Sequence, residues 1–462
     1  MAAICTDTFP VELWTEILLR APTKSVIRLS CVSTQWRNIV TDSSFRKLHH
    51  DKHATPSKDD DVTDALLVSS NKIDKQRVTS VFPATLASPA TSPMCRINNM
   101  DDYNLTNICN GFLCFASCST DKVIISNPIT GEKLAIPKPP PLKPNQDGHH
   151  SPVTFALGFS PTTGTYKLFR FADRTMDVYT LLAGGGETNG WRQHPLCPLV
   201  KNTPPVTIGG KICMVTAGLA PHRHRSDFGM PGPVLVVDVT SEEYCTYSPP
   251  DYGEPWAEAV VCAFGLHGKL CLGIRTDTII QFWTMPVEEE DDDLPWELLY
   301  KFKVDMDDIR SVSWHGGVQR QVSINAWLDG ETHTLCCKVG NSLYCRCIGT
   351  TTTTTTTLGM SRRLSPTQFM SWDHKIHLPV TPLSLSECHW DIYMGYRPSL
   401  LSPLTFKARQ HGDDDEGDES GPFIRSLLRA LQHQKSLKCH PSPTLDGRTN
   451  TKRICTRSPC KF

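Results

Sequence analysis

The first 48 residues place their apolar positions at helical spacing. From Val11 to Arg20, Leu13, Ile17 and Leu18 form a stripe at i, i+4 and i+5 with Trp14 beside it, which predicts an amphipathic helix. Thr8 is placed to cap it, Pro10 suits its first turn, and Glu12 complements the positive end of the helix dipole. Ala21-Pro22 stops the helix, because a residue that precedes proline is pushed out of the helical region. Val26, Ile27 and Leu29 predict a second short helix over Thr23–Ser30, and Trp36, Ile39 and Val40 a third near Ser33–Val40. About 40 residues in three helices bury too little to close a core alone, so part of this apolar surface is expected to belong to a partner.

Beyond residue 104 the period shortens to that of strands. Asn110-Gly-Phe-Leu-Cys-Phe115, Lys122-Val-Ile-Ile-Ser126, Phe155-Ala-Leu-Gly-Phe159, Gly209-Gly-Lys-Ile-Cys-Met-Val215 and His267-Gly-Lys-Leu-Cys-Leu272 predict short strands joined by tight turns. Gly111, Gly158, Gly210 and Gly268 stand 47, 52 and 58 residues apart, and Trp314-His-Gly-Gly317 continues the series. Repeats near 50 residues with several strands each predict a β-propeller, with a two-sheet β-sandwich as the alternative. Proline or aromatic signals close the units: Pro137-Lys-Pro-Pro-Pro141, Trp191, Tyr247-Ser-Pro-Pro250 and Trp296.

Composition narrows the classes. The 47 Lys+Arg and 48 Asp+Glu nearly cancel, but residues 421–462 hold nine basic residues against one acidic, leaving the rest of the chain at −9. The main body therefore offers no basic stripe for nucleic acid. No stretch reaches the roughly 18 consecutive apolar residues that span a bilayer, and Met1 to Asp7 lacks the basic start of a secretory signal. The expectation is an intracellular chain, in nucleus or cytoplasm, with no membrane partner. Its 19 cysteines are then expected as reduced, buried thiols.

At the head, Phe9-Pro-Val-Glu-Leu-Trp-Thr-Glu-Ile-Leu-Leu-Arg-Ala-Pro22, then Val26 and Leu29, Cys31-Val-Ser-Thr-Gln-Trp-Arg-Asn-Ile-Val40 and Phe45 together resemble an F-box. Phe9 stands where that family has Leu, Ala21 replaces the Leu before proline, and Ser33-Thr34 replaces a Cys-Lys pair. The Gly-Lys-hydrophobic-Cys-hydrophobic phrases and Asn127-Pro-Ile-Thr-Gly-Glu132 resemble the F-box-associated, kelch-like C-terminal domain of plant F-box proteins, over roughly 105–400. The resemblance implies a mainly β chain with an N-terminal three-helix F-box. It further implies a non-catalytic substrate receptor of an SCF-type (Skp–cullin–F-box) ubiquitin ligase, without cofactor. Pro10, Leu13, Ile17, Leu18, Pro22, Leu29, Val32 and Trp36 carry over as contacts to the Skp-family adaptor, with Trp36 and the Ile17-Leu18 pair as anchors. The expected map is an F-box over 5–48, a linker over 49–104, the β domain over 105–405 and an acidic then basic tail over 406–462. A polar linker implies that head and body separate under limited proteolysis.

Candidate chemistry elsewhere is sparse. Pro137–Pro144 favours polyproline II and suits either an SH3 or WW groove or an inter-blade loop. The acidic runs 288–293 and 413–419 lack the ligand spacing of an EF-hand and predict solvated loops. Thr350–Thr357 predicts another loop, and Phe423, Leu427, Leu428 and Leu431 a short basic amphipathic helix. No cysteine pair repeats at zinc spacing, and no nucleophile elbow, Walker loop or dinucleotide fingerprint is present, so no metal, cofactor or catalytic residue is expected. A ligand-binding or enzymatic propeller, and an adaptor-bound scaffold, stay open beside the receptor. For target capture, His222–Gly232 offers Arg223, Arg225 and Phe228, and Tyr252–Trp256 offers two aromatics, the side chains that most often anchor interfaces.

Overall fold

The computed structural model describes residues 10–54; 64–117 apart from 74–75, 85–92 and 100–101; 120–142; 153–182 apart from 173; 190–217 apart from 195–196 and 201–202; 231–251; 260–285 apart from 267 and 277–278; 296–303; 324–329; 334–339; 342–347; 374–377; and 389–406. Helix α1 (Val11–Arg20) has Glu12 in its first turn and Arg20 in its last, and ends at an extended Ala21 as the Ala-Pro pair requires. Thr8 lies outside the described residues. Helix α2 (Thr23–Leu29) follows, then α3 (Thr34–Thr41), whose Ser33 Oγ accepts the Trp36 N–H as an N-cap. A fourth helix, α4 (Ser43–Ala54), runs where only a closing Phe45 and a polar linker are expected. Its periodicity lies in Arg46, His49, His50 and His53, which a search for apolar stripes passes over.

Six four-stranded antiparallel sheets make up the body among the described residues. In the first blade, β1 (Asp64–Ile73), β2 (Gln76–Ala84) and β3 (Cys95–Asn99) pair with the last strand, β24 (His389–Tyr396), so both ends of the domain close the ring together. The second blade is β4 (Tyr103–Cys109), β5 (Phe112–Ser117), β6 (Val123–Ser126) and β7 (Lys133–Ile136). The third is β8 (Thr154–Ser160), β9 (Thr165–Ala172), β10 (Thr175–Leu181) and β11 (Trp191–His194). The fourth is β12 (Val206–Ile208), β13 (Lys211–Ala217), β14 (Pro231–Asp238) and β15 (Tyr244–Tyr247). The fifth is β16 (Val260–Leu266), β17 (Lys269–Thr276), β18 (Ile279–Met285) and β19 (Glu297–Lys303). The sixth is β20 (Ile324–Asp329), β21 (Thr334–Val339), β22 (Ser342–Cys347) and β23 (His374–His377). The innermost strands, β24, β4, β8, β12, β16 and β20, neighbour one another round the ring, which makes the body a propeller and not a sandwich.

Among the described residues apolar clusters join the first sheet to the second, the second to the third, the third to the fourth, the fourth to the fifth and the fifth to the sixth. All seven residues of β8 and all six of β5 are buried, which is why these strands read as continuous apolar runs and not as alternation. Two corrections to the sequence expectation follow. The stretch expected as a linker, 49–104, holds the end of α4, three strands of the first blade and the start of β4, because its short apolar runs pair with β24 over 300 residues away. Gly158, one of the regularly spaced glycines, sits inside β8, where an added Cβ would meet Val239 at 2.6 Å. The turn glycine of that blade is Gly164, at φ +65°, equivalent to Gly111, Gly210 and Gly268.

The proline and aromatic signals form a repeated lock. Trp191 donates its indole N–H to the Pro137 carbonyl (3.0 Å), and Trp296, in the fifth blade, donates to the Ser248 carbonyl (2.7 Å). Each ties one blade to the segment that leaves the blade before it. Arg170, buried against Asp177, donates to the Pro140 carbonyl (2.7 Å), so the described part of the proline segment, to residue 142, is an inter-blade strap. The runs 288–293 and 413–419, the threonine tract, and the tail from 407 with its proposed helix lie outside the described residues.

Candidate functional site: the outer face of the helical head

The head has two apolar faces, set one residue apart along α1. Trp14 and Leu18 point inward, joining Val26, Ile27, Ile39, Val40 and Phe45 in a cluster that also takes in Ile129 and Leu400 of the body. Leu13 and Ile17, one residue behind each, stand about half exposed, at 49% and 54%. A single step along a helix turns the side chain by about 100°, enough to move it from core to solvent. Of the eight candidate adaptor contacts, Pro10, Leu13, Ile17, Pro22 and Val32 are exposed, Val32 at 76%. Leu29 and Trp36 are half-buried, with the Trp36 ring 5.0 Å from Trp14. Leu18 is 1% exposed, so it serves the core and is corrected as a contact available to a partner. Val11 and Leu48 are exposed apolar residues that the pattern alone does not single out.

The inner side of the head is held by histidines. His53 Nε2 reaches the Leu19 carbonyl at 3.2 Å and His49 Nε2 the Ala21 carbonyl at 3.0 Å, capping the end of α1 where no further turn can satisfy those acceptors. His50 meets Ser399 through Nδ1 (2.9 Å) and Tyr166 through Nε2 (2.7 Å). Burial lowers the pKa of His49 and of His50 to about 4, so both are neutral at pH 7.

Within the ring, Asn107 ties three innermost strands. Its amide donates to the Leu157 carbonyl (2.8 Å) and to Thr207 Oγ1 (3.1 Å), and its carbonyl accepts the Leu157 N–H (2.9 Å). The free inner edge of β8 is thereby satisfied by a side chain. Among the described residues no group of His, Cys, Asp or Glu could hold a metal ion, and no helix is long and apolar enough to cross a membrane. Burial pushes the thiols of Cys114, Cys197 and Cys213 up to about 12, which keeps them protonated and poor nucleophiles. The candidate target residues Arg223, Arg225, Phe228, Tyr252 and Trp256 lie outside the described residues.

Comparison with known proteins agrees with this division. The F-box domain matches residues 7–48, and the F-box associated beta propeller domain matches residues 58–297. An Arabidopsis thaliana protein named for its F-box, At1g47790, is 30% identical over 195 residues, 40% of this chain and 46% of its own length. F-box protein At2g21930 of the same plant is 24% identical over 253 residues, 51% of this chain and 59% of its own. The chain thus spans about half the length of such relatives. Among solved structures, the β-propeller domain of Cps50 (Swd1) from Myceliophteria_thermophila is similar at 14% identity and a TM-score of 0.34, over 60% of this chain and 78% of that one, too remote a likeness to bear on fold or function. With the propeller domain matched over more than half its length, the chain belongs to the family of the F-box associated beta propeller domain, and it carries an F-box ahead of that domain.

Proposed function

We propose that this chain is the target-recognition subunit of an SCF-type ubiquitin ligase, docking a Skp-family adaptor, and through it a cullin, by its head and a target protein by its propeller. The observation that carries the reading is an F-box whose Leu13, Ile17 and Val32 stay exposed on its outer side while Leu18, Val26, Ile27, Ile39, Val40 and Phe45 are buried in a core shared with the propeller's side. The mechanism is proximity: holding a lysine-bearing target beside a reactive thioester raises the effective concentration, and the bond-making groups belong to the conjugating enzyme. Such a receptor is intracellular and works without a cofactor.

Target capture falls to loops, because a propeller commits its strands to neighbouring blades. In an up-and-down blade the turns after the second and fourth strands share one rim. In chain order Arg223, Arg225 and Phe228 fall between β13 and β14, and Tyr252 and Trp256 between β15 and β16, after the second and fourth strands of the fourth blade. The head contacts the other rim, at the turns 110–111 and 127–132. We assign target binding to those five residues.

The adaptor half is tested by Leu13→Ala with Ile17→Ala, which spares Leu18 and hence the core. Two half-exposed aliphatics that become buried in a complex are worth about 2–4 kcal/mol together, so capture of purified Skp-family adaptor should weaken about 30-fold or more. Unchanged capture would overturn the reading.

A further inference from the structure

The residues after the closing strand do not leave the propeller at once. Segment 397–406 crosses the rim beneath the head and ends in a 3-10 turn, Pro403–Phe406. Its contacts alternate residue by residue between two bodies. The Pro398 carbonyl accepts Thr23 Oγ1 of the head (2.9 Å), and the Ser399 carbonyl accepts the Asn127 amide of the propeller (2.9 Å). The Leu400 carbonyl accepts Arg46 Nε of the head (2.7 Å), and the Leu401 carbonyl again accepts Asn127 (2.8 Å). The two leucine side chains follow the same rule: Leu400 packs in the head cluster with Leu18 and Val26, Leu401 in the propeller cluster with Phe112 and Leu134.

Direct pins flank this alternation. Arg46 Nη2 pairs with Glu132 at 3.1 Å, with both side chains no more than a tenth exposed, and His50 bridges Ser399 to Tyr166. The seat also requires Gly111. Its φ is +86°, and a Cβ there would meet the Arg397 carbonyl and Ser399 Cβ at 2.6 Å.

We infer that segment 397–406 is a strap that locks head and propeller into one rigid body, with Arg46, His50, Asn127 and Glu132 as its positioning residues. Relative motion is the ordinary state of two domains joined by a modest polar interface. Here each carbonyl from 398 to 401 is committed to one body or the other, and sliding breaks all of them together. The purpose rests on the receptor reading: a rigid strap fixes where a captured target stands relative to the adaptor. The rigidity itself does not depend on that reading. It runs against the expectation that head and body are separable.

The test is a distance distribution by pulsed electron resonance on the full chain. Nitroxides go in through non-natural amino acids at exposed Gln35 of the head and exposed Thr246 of the propeller, since the native cysteines preclude thiol labelling. The native chain should give one narrow distance, and Leu400→Ala with Arg46→Gln should broaden it about twofold or more while the propeller's thermal transition is kept. A broad distribution in the native chain, or an unchanged narrow one in the variant, overturns the strap. Should that variant lose its thermal transition, Glu132→Gln decides by the same two outcomes. Capture of purified Skp-family adaptor by the same native chain is scored separately, so a narrow distance without capture would sink the receptor reading and leave the strap standing.

Discussion

Two turns of the propeller are built alike and employed differently. Asn127-Pro-Ile-Thr-Gly-Glu132 joins β6 to β7, and Asp238-Val-Thr-Ser-Glu-Glu243 runs from the end of β14 towards β15. In both, the first residue's carbonyl accepts the N–H of the fifth (2.8 and 2.9 Å) and its side-chain oxygen accepts a nearby N–H, from Ile129 (2.8 Å) or Thr240 (2.7 Å). In both, the fifth residue has positive φ, +73° at Gly131 and +65° at Glu242. Yet Ile129 packs in the head and Glu132 pairs with Arg46, whereas Val239 packs between the third and fourth blades. Glu242 meets Lys167, Arg192 and His194 of the third blade. One turn seats the helical head on the ring; the other locks blade to blade. The backbone motif is generic, and what its side chains meet decides its task.

The sharpest way to break this comparison is to exchange the first residues. Asn127→Asp keeps the acceptor that the turn needs, as Asp238 demonstrates in its own turn. It removes the amide that donates to the Ser399 and Leu401 carbonyls, and sets a carboxyl against two buried acceptors. Leaving such acceptors unmet, or burying the charge, should cost about 3–5 kcal/mol. Urea unfolding followed by tryptophan emission, with Trp14 and Trp36 reporting the head, should show it. A loss below about 1 kcal/mol would mean that the strap does not depend on Asn127.

How much of this was legible follows from the kind of interaction involved. The helices up to Val40 and the strands of the second to fifth blades carry their periods locally, and the Asn127 and Trp191 phrases are visible as turn and closing signals. The ring closure is not, because Leu66-Leu67-Val68 finds its partners in β24, and nothing within ten residues announces that pairing. The split between Leu18 and Ile17 is also hidden: both are apolar at helical spacing, and the packing of the head's helices together with the body's Ile129 and Leu400 decides which is covered. The polar row Arg46, His49, His50 and His53 was the available signal for a fourth helix with a buried polar side. Its spacing of three and four is helical, although its residue types suggest a solvated linker.

Acid separates the two turns on a smaller scale. His49 and His50 have folded-state pKa values of about 4, below the roughly 6.5 of an unfolded chain, so the unfolded state binds more protons as pH falls. Their contribution is complete above pH 6.5 and lost between there and pH 4, about 2 kcal/mol each by pH 5. The groups around them are Lys52 and His53 on α4, Arg397 of the strap and a Tyr166 whose pKa burial raises, with the nearby carboxylate, Asp51, exposed to solvent on α4. At the other turn, burial raises the Glu242 pKa but Lys167, Arg192 and His194 outweigh it and hold the carboxyl below its usual range. That lock is complete above the ordinary carboxylate pKa and fails only as pH falls through the lower folded value. Hydrogen-exchange protection factors at pH 7 and pH 5 should therefore fall in α4 and 397–401 while 238–243 and β11 keep theirs. Equal loss in both regions would remove the histidines as the cause.

The smallest effect is expected from the reverse exchange, and its smallness is the point. Asp238→Asn keeps the Oδ1 that accepts the Thr240 and Ser241 N–H groups at 2.7 and 2.8 Å. Asp238 is half-buried at the rim, so a replacement amide has solvent within reach, and Glu242 still carries the ion pairs to the third blade. The change removes only the charge assistance of two hydrogen bonds, below about 1 kcal/mol. The urea midpoint should move by less than a third of the shift seen for Asn127→Asp. If the two exchanges instead cost the same, the turns would be equivalent after all, and the Asn127 side chain would owe its effect to the turn itself and not to the strap it holds.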